Sequence, residues 1–384
     1  MVVNRMKTFI LMHKNNPVAN VSIQKDEMGN GCLCVDSIIN RKELPYGLKS
    51  ISPEQMDISM TWWNNTRCIP LGRPNYDKIL NSLGLSNAVE LIPYSYMCSL
   101  TDNYWFKPSN SHVRWENVNF RDNGFDSNLY RCLFFGEDGT RINNLNSPDI
   151  PTDGAMPKMW VERDGEFYLV KKSTDVPPME VYNEVLASAI LEQLGIPHVE
   201  YTLENINGED VSVCPCFIKS DDCEFVQFAN LMSDGYYNSP DEYFETMAKF
   251  GFQNDMDSMI FVDMVIGNID RHTRNYGQII DSVTQRVMGP APIFDNGGCT
   301  FLHDVSNRDY KPTELSFEET TKSLSCEVLA WAERIDLDSL GSLIDSFAIS
   351  EQDKATMKNN LNSRVEHMIE LSRGIEYDID RDRR

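Results

Sequence analysis

Between residues 257 and 297 the chain alternates apolar runs with polar loops in an order that few folds can house. Asp257–Ile266 is mostly apolar and long enough for a helix, and Gly-Asn-Ile-Asp-Arg-His-Thr-Arg-Asn-Tyr-Gly follows at 267–277. Two strands are expected next, Tyr276–Ile280 and Val287–Phe294, and the second runs into Asp295-Asn296-Gly297. A short loop can aim a carboxylate and an amide at one point only if the gap between them is fixed. Asp270 and Asn275 stand five positions apart directly behind an apolar helix, and Asp295 closes an apolar strand. Asp and Asn also favour turns because they hydrogen-bond their own backbone. The apolar elements on both sides, however, would hold these three groups rigidly, which an ordinary turn does not require.

That trio has a chemistry. Phosphoryl transfer of the kinase type uses one Asp to accept the hydroxyl proton. An Asn five residues later and a second Asp beyond the next strand hold the metal ions that bridge the phosphates. Asp270, Asn275 and Asp295 supply these groups in that order.

The rest of the chain is read around this segment. Asn143–Pro148 is turn-rich and marks a boundary. Lys158–Arg163 and Glu166–Lys172 form a hairpin about Asp164-Gly165, and Met179–Leu194 is a helix closed by Gly195 with Pro197 just beyond. Val199–Leu203 and Val211–Ile218 are strands around Asn207-Gly208. From about Asp221 the chain turns helical, with Ser239-Pro240-Asp241-Glu242 as a capped start. Helices are expected at Ser325–Arg334, Leu337–Phe347 and Ser350–Ser372. Before the boundary, Phe9–Met12 and Val18–Ile23 form a hairpin, Pro53–Asn64 and Asn75–Leu83 are helices, and Tyr94–Phe135 reads as strands and loops. The expected class is α+β, a two-lobed protein-kinase-like fold with a β-rich N-terminal accessory region. The expected divisions are an accessory region at 1–145, a small β-rich lobe at 146–220 and a large helical lobe at 221–384.

Further groups suit nucleotide chemistry. Lys171 lies on the strand face of Phe167 and Leu169, where a lysine can bridge α- and β-phosphates, and such a lysine needs an acid on the following helix. Glu184 lies 13 residues on, with Glu180 as the competing acid. Asp153-Gly154-Ala155 precedes the small lobe's first strand, and Gly154 would let backbone approach a phosphate. Cys214-Pro215-Cys216-Phe217 falls where an inter-lobe strand belongs, so Phe217 could cover the adenine ring. His272 could steady the loop or the transferring phosphate, and Arg271 and Arg274 bring positive charge to it.

Composition removes other classes. The 384 residues carry 35 basic and 58 acidic side chains, a net charge of −23, which argues against direct nucleic acid binding and against anionic membranes. No stretch has the apolar length of a membrane span, and no secretory signal is seen, so a cytoplasmic protein is expected. The ten cysteines are irregularly spaced, and reduced thiols explain them better than disulfides or a site at Cys214, Cys216 and Cys223.

Taken together, residues 150–380 resemble the HipA-like serine/threonine kinases, the toxin family of bacterial toxin–antitoxin modules, with distant similarity to phosphoinositide kinases. The likeness rests on Asp-Gly-Ala at 153–155, Leu-Val-Lys at 169–171, Asn-Glu at 183–184, Gly-Ile-Pro at 195–197, Asp-x-His-x-x-Asn at 270–275 and Asp295. The N-terminal region matches the family's accessory domain only loosely. The resemblance implies ATP and Mg²⁺ as cofactors, Asp270 as base, Asn275 and Asp295 as metal ligands, and Lys171 on the ATP phosphates. It also implies a protein substrate, in some members an aminoacyl-tRNA synthetase, a small antitoxin partner, and self-phosphorylation before Gly154, at Thr152 or Ser147. Asp270-Arg271-His272 is close to the phosphoinositide-kinase loop, so a lipid or small-molecule acceptor stays open, as does a catalytically inactive ATP-binding module.

Overall fold

The computed structural model of the chain describes residues 8–70, 72–125, 128–137, 145–232 and 239–382. By packing, the chain forms two compact units. The first comprises Met1–Lys171, Pro215–Tyr236 and Ile279–Met288, and the second Lys172–Cys214, Tyr237–Gln278 and Gly289–Arg384. The positions 145/146 and 220/221 therefore both lie inside the first unit. Of the turn expected at Asn143–Pro148, Asn143 and Asn144 lie outside the described residues.

In the first unit an antiparallel sheet runs in the order Gly31–Ile38, Asn16–Lys25, Thr8–His13, Tyr104–Pro108. The expected first hairpin is present, with His13 opposite Asn16. The alternation that predicts it also explains its packing, since Phe9 and Leu11 enter one apolar cluster with Val21, Leu33 and Phe106. The helix Met56–Thr66 buries Met56, Met60 and Trp63 in that cluster. The helix expected at Asn75–Leu83 runs over Tyr76–Leu83 and ends at Gly84. Among its described residues, the stretch expected as strands and loops holds the strand Tyr104–Pro108, a 3-10 turn at Trp115–Asn117 and the helices Phe120–Asn123 and Asn128–Phe135. Aromatic side chains that lack a clean period there serve a core assembled from several elements, so their spacing misleads. Cys223–Gln227 is likewise a strand where helix was expected.

Lys158–Arg163 and Glu166–Lys171 pair antiparallel in the expected register, and the turn residues Asp164 and Gly165 both take positive φ, as a two-residue hairpin needs.

The second unit opens with Met179–Leu194, capped at Gly195, and the hairpin that pairs Thr202–Ile206 with residues 209–213, where Val199–Leu203 and Val211–Ile218 were expected. Pro240–Lys249 starts as predicted, with Ser239 Oγ accepting from the Glu242 amide at 3.2 Å. Gln253–Ile266 is the apolar helix ahead of the polar loop, ending at Gly267. Cys326–Leu329, Leu337–Asp345 and Glu351–Asp382 follow. A short helix, Phe317–Ser323, was not read from the sequence, although Ser316 and Glu319 form a capping box at its start.

Candidate active site

The second unit gathers Asp270, His272, Asn275, Asp295 and Glu184. Its foundation is Asp263, an acid within the apolar run Met-Ile-Phe-Val-Asp-Met-Val-Ile and fully buried. A buried carboxylate is tolerated only when paired. Asp263 receives Arg271 Nε at 3.0 Å and Nη2 at 2.8 Å, Asn268 Nδ2 at 3.1 Å, and the hydroxyl of the buried Tyr310. Arg271 spends its remaining donors on the Asn275 and Phe294 carbonyls, at 3.2 and 2.8 Å, and on Asn296 Oδ1 at 2.7 Å. One guanidinium thus ties the helix, the polar loop and the segment before Asp295 together; that segment follows a strand, Val287–Pro290, shorter than the expected Val287–Phe294. Burial alone would lower its pKa, but Asp263 beside it outweighs that and raises it. Arg271, read from sequence as a charge for phosphate, is only 1% exposed and instead holds the site's frame.

On this frame the loop is tightly turned. The Asp270 amide donates to Asn268 Oδ1 at 3.0 Å, the His272 amide to the Asp270 carbonyl at 2.8 Å, and the Asn275 amide to the His272 carbonyl at 3.0 Å. Asn275 Nδ2 donates to the Asp270 carbonyl at 2.7 Å. Its Oδ1 is buried and has no hydrogen-bond partner among the described residues. The Asp270 carboxylate points outward, and Lys311 Nζ meets its Oδ1 at 2.5 Å. Burial lowers the pKa of His272, and Asp270 and Asp295 oppose that shift only in part. The imidazole is therefore biased toward its neutral form near pH 7.

The Asp295 turn closes against the loop. Asp295 has φ 58, a left-handed backbone that persists in a non-glycine residue only where its surroundings enforce it. Its amide donates to the Tyr201 hydroxyl at 3.2 Å. The Asn296 amide donates to Glu184 Oε2 at 2.9 Å, and Asn183 Nδ2 donates to the Gly297 and Cys299 carbonyls at 2.9 and 2.8 Å. A Cβ on Gly298 would stand 2.5 Å from Asp270 Cβ, so only glycine lets the two loops come this close. An unspent amide oxygen and a conformationally enforced carboxylate are hard oxygen donors, and the donor set fits Mg²⁺, which takes few protein ligands and fills the rest with phosphate or water.

The first unit holds Thr152, Gly154, Lys171 and Phe217. Gly154 has φ 101, and a Cβ there would collide with Lys158 Nζ. Lys158 Nζ itself donates to the Asp153 carbonyl at 2.9 Å. Arg73, which sequence reasoning missed, is buried and donates to the Gly154 carbonyl at 2.8 Å and to that of Thr152. The Thr152 hydroxyl donates to the Pro148 carbonyl at 2.5 Å and accepts from Trp160 Nε1 at 2.9 Å. Ser147 is 2% exposed and donates to Asp149, whose carboxyl burial pushes up to about 6. Lys171 is buried at the end of its strand, opposite Lys158 in register. In the second unit, Lys172 pairs with Glu209 at 2.9 Å, and Glu180 accepts from Ser173 Oγ at 2.9 Å. Phe217 stacks edge-on against Phe225, ring centroids 5.3 Å apart.

Asp263 was legible in principle, because an acid in so apolar a helix demands a buried partner. Lys311 and Arg73 were not, since nothing local marks them.

No protein-family model and no curated protein sequence matches the chain. Among solved structures, HipA of Shewanella oneidensis MR-1, in a complex with HipB and its operator DNA, matches with a TM-score of 0.58 at 13% identity, over 96% of this chain and 99% of that one. The Helicobacter pylori proinflammatory kinase CtkA matches at 0.49 and 21% identity, over 58% and 95%, a score too low to weigh. The likeness to HipA takes in the N-terminal region that the sequence matched only loosely. Among the described residues, no helix is long and apolar enough to cross a membrane. The chain has the α+β, two-lobed kinase-like fold of HipA.

Proposed function

We propose that the chain is an ATP- and Mg²⁺-dependent kinase that phosphorylates hydroxyl groups of protein substrates, as a HipA-like serine/threonine kinase does. The observation that carries this reading is the fixed cluster of Asp270, Asn275 and Asp295, with the Asn275 amide oxygen buried and unspent. Asp270 accepts the proton of the acceptor hydroxyl. Asn275 Oδ1 and Asp295 would hold the metal, which when bound neutralises charge on the phosphate oxygens. Lys171 and the Gly154 turn are assigned to the nucleotide phosphates and Phe217 to the adenine, and Glu184 is assigned to the support of the Asp295 turn, where it accepts from the Asn296 amide. His272, biased toward neutrality, steadies the loop without adding a competing charge.

Self-phosphorylation at Thr152 belongs to this reading, and its partial exposure favours it over the buried Ser147. A phosphate there would break the bonds to the Pro148 carbonyl and Trp160 Nε1 and release the turn that Arg73 holds. A small antitoxin partner is proposed on the likeness to HipA, which is seen with HipB and DNA. That complex also removes the ground for excluding nucleic acid by net charge, because a partner can supply the contact.

The test is incubation with labelled ATP and Mg²⁺, with the Asp270→Asn chain as control. Mass spectrometry then follows the protein itself and a host lysate. Phosphate on Thr152 or on lysate proteins, absent with Asp270→Asn, is expected. Label confined to lipid or small metabolites would replace the protein acceptor, and no label at all would leave a nucleotide-binding module.

A further inference from the structure

The ion pair between Lys311 and Asp270 has no part in the frame beneath it. Both side chains are about half exposed, at 48% and 52%, yet they meet at 2.5 Å. The placement is built rather than incidental. Tyr310, the preceding residue, is fully buried with its hydroxyl on Asp263, the carboxylate that also grips Arg271 next to Asp270. The backbone around Lys311 is closed into a tight loop. The Tyr310 amide donates to the Leu315 carbonyl at 2.8 Å, the Thr313 amide to the Tyr310 carbonyl at 3.0 Å, and the Phe317 amide to the Arg308 carbonyl at 2.8 Å. Two neighbouring residues on each segment thus repeat one arrangement, with 271 and 310 buried on Asp263 and 270 and 311 paired outside.

The neighbouring Arg271 is committed to the frame, with its guanidinium on Asp263, the Asn275 and Phe294 carbonyls and Asn296. A chain of net charge −23 that handles phosphate needs a cation where the transfer occurs, and among the described residues Lys311 is bonded to Asp270. The pair occupies Oδ1 and leaves Oδ2 for an acceptor hydroxyl. A lysine, a point charge on a flexible stem, can hold one carboxylate oxygen and still lean toward an arriving phosphoryl group.

We propose that Lys311 is the positioning cation of the transfer site, fixing the Asp270 carboxylate and presenting its charge to the phosphoryl group as it moves. This rests on the reading of Asp270 as proton acceptor. In the step, the acceptor oxygen forms a bond to the γ-phosphorus of a nucleoside triphosphate while the bond from that phosphorus to the bridging oxygen breaks. The nucleoside diphosphate leaves with the electron pair, and the hydroxyl proton passes to Asp270 Oδ2.

The experiment uses the full chain in four forms: unaltered, Lys311→Ala, Lys311→Arg and Asp270→Asn. Each is measured for Mg²⁺-ATP binding by calorimetry and for transfer rate against ATP concentration. Lys311→Ala should bind nucleotide as the unaltered chain does and transfer at least roughly tenfold more slowly, with the KM for ATP unchanged. Lys311→Arg should recover part of the rate. A Lys311→Ala chain as fast as the unaltered one, or faster, beside an inactive Asp270→Asn chain overturns this proposal alone. No transfer by the unaltered chain, or undiminished transfer by Asp270→Asn, overturns the functional reading and this proposal with it.

Discussion

Two ion pairs lie one residue apart in the second unit and live in opposite surroundings. Arg271 and Asp263 are fully buried, and Lys311 and Asp270 are half exposed. Burying two charges is costly, so the inner pair persists because its geometry satisfies nearly every donor and acceptor, and removing one partner strands the other. The outer pair is screened by water and is worth about 0–1 kcal/mol to stability. Stability therefore does not explain why the outer pair is held so accurately. The lesson is a division of labour. The inner pair sets where the loop, the helix and the Asp295 turn meet, and the outer pair stands exposed on that frame, where the proposed function puts the transfer.

The strongest way to break this comparison is at Asp270. Asp270→Asn keeps the shape of the side chain and removes the proton acceptor, so transfer should fall by roughly 10²–10⁴-fold. The melting temperature should stay close to that of the unaltered chain. A large loss of stability instead would make Asp270 part of the frame.

Arg271→Ala should do the reverse. It leaves Asp263 buried and unpaired, at a cost of about 3–5 kcal/mol, read as a lowered denaturation midpoint. Asp263→Asn combined with Arg271→Gln, which neutralises both partners, should cost less than Arg271→Ala. If Arg271→Ala unfolds no more easily than the unaltered chain, the inner pair is not structural.

Asn275→Ala and Asp295→Ala sharpen the boundary between frame and chemistry. Each should weaken nucleotide binding in the presence of Mg²⁺ while leaving the weaker metal-free binding in place, as calorimetry with and without the ion would record. Equal losses in both conditions would mean that these residues support the fold instead of the metal.

The smallest expected effect is on the stability of Lys311→Ala. Its denaturation midpoint should shift by no more than about 1 kcal/mol, less at high salt, where an exposed pair is screened. A shift as large as that of Arg271→Ala would erase the distinction between the two pairs.

Much of this was legible along the chain. The Met179–Leu194 helix, the Asp164-Gly165 hairpin, the Ser239 cap and the apolar helix before the loop are local matters of period and turn chemistry, and the structure contains each of them. The stretch from Tyr94 to Phe135 was misread because its aromatic residues answer to a core built from distant segments. The role of Arg271 was misread for a related reason. A charge in a polar loop reads as exposed unless its buried partner, eight residues earlier, is recognised.

By itself the sequence determined which residues to consider for the proposed chemistry, because a carboxylate and an amide five positions apart behind an apolar helix can be ordered by local structure alone. Tertiary structure decided what those residues lean on. Lys311 lies 41 positions from Asp270, and Tyr310 lies 47 from Asp263. Contacts at such separations leave no periodic trace, since they depend on where whole elements come to rest. The buried carboxylate of Asp263 is where the two kinds of information meet: its position in an apolar helix announces that a partner must exist, and only the fold supplies Arg271 and Tyr310.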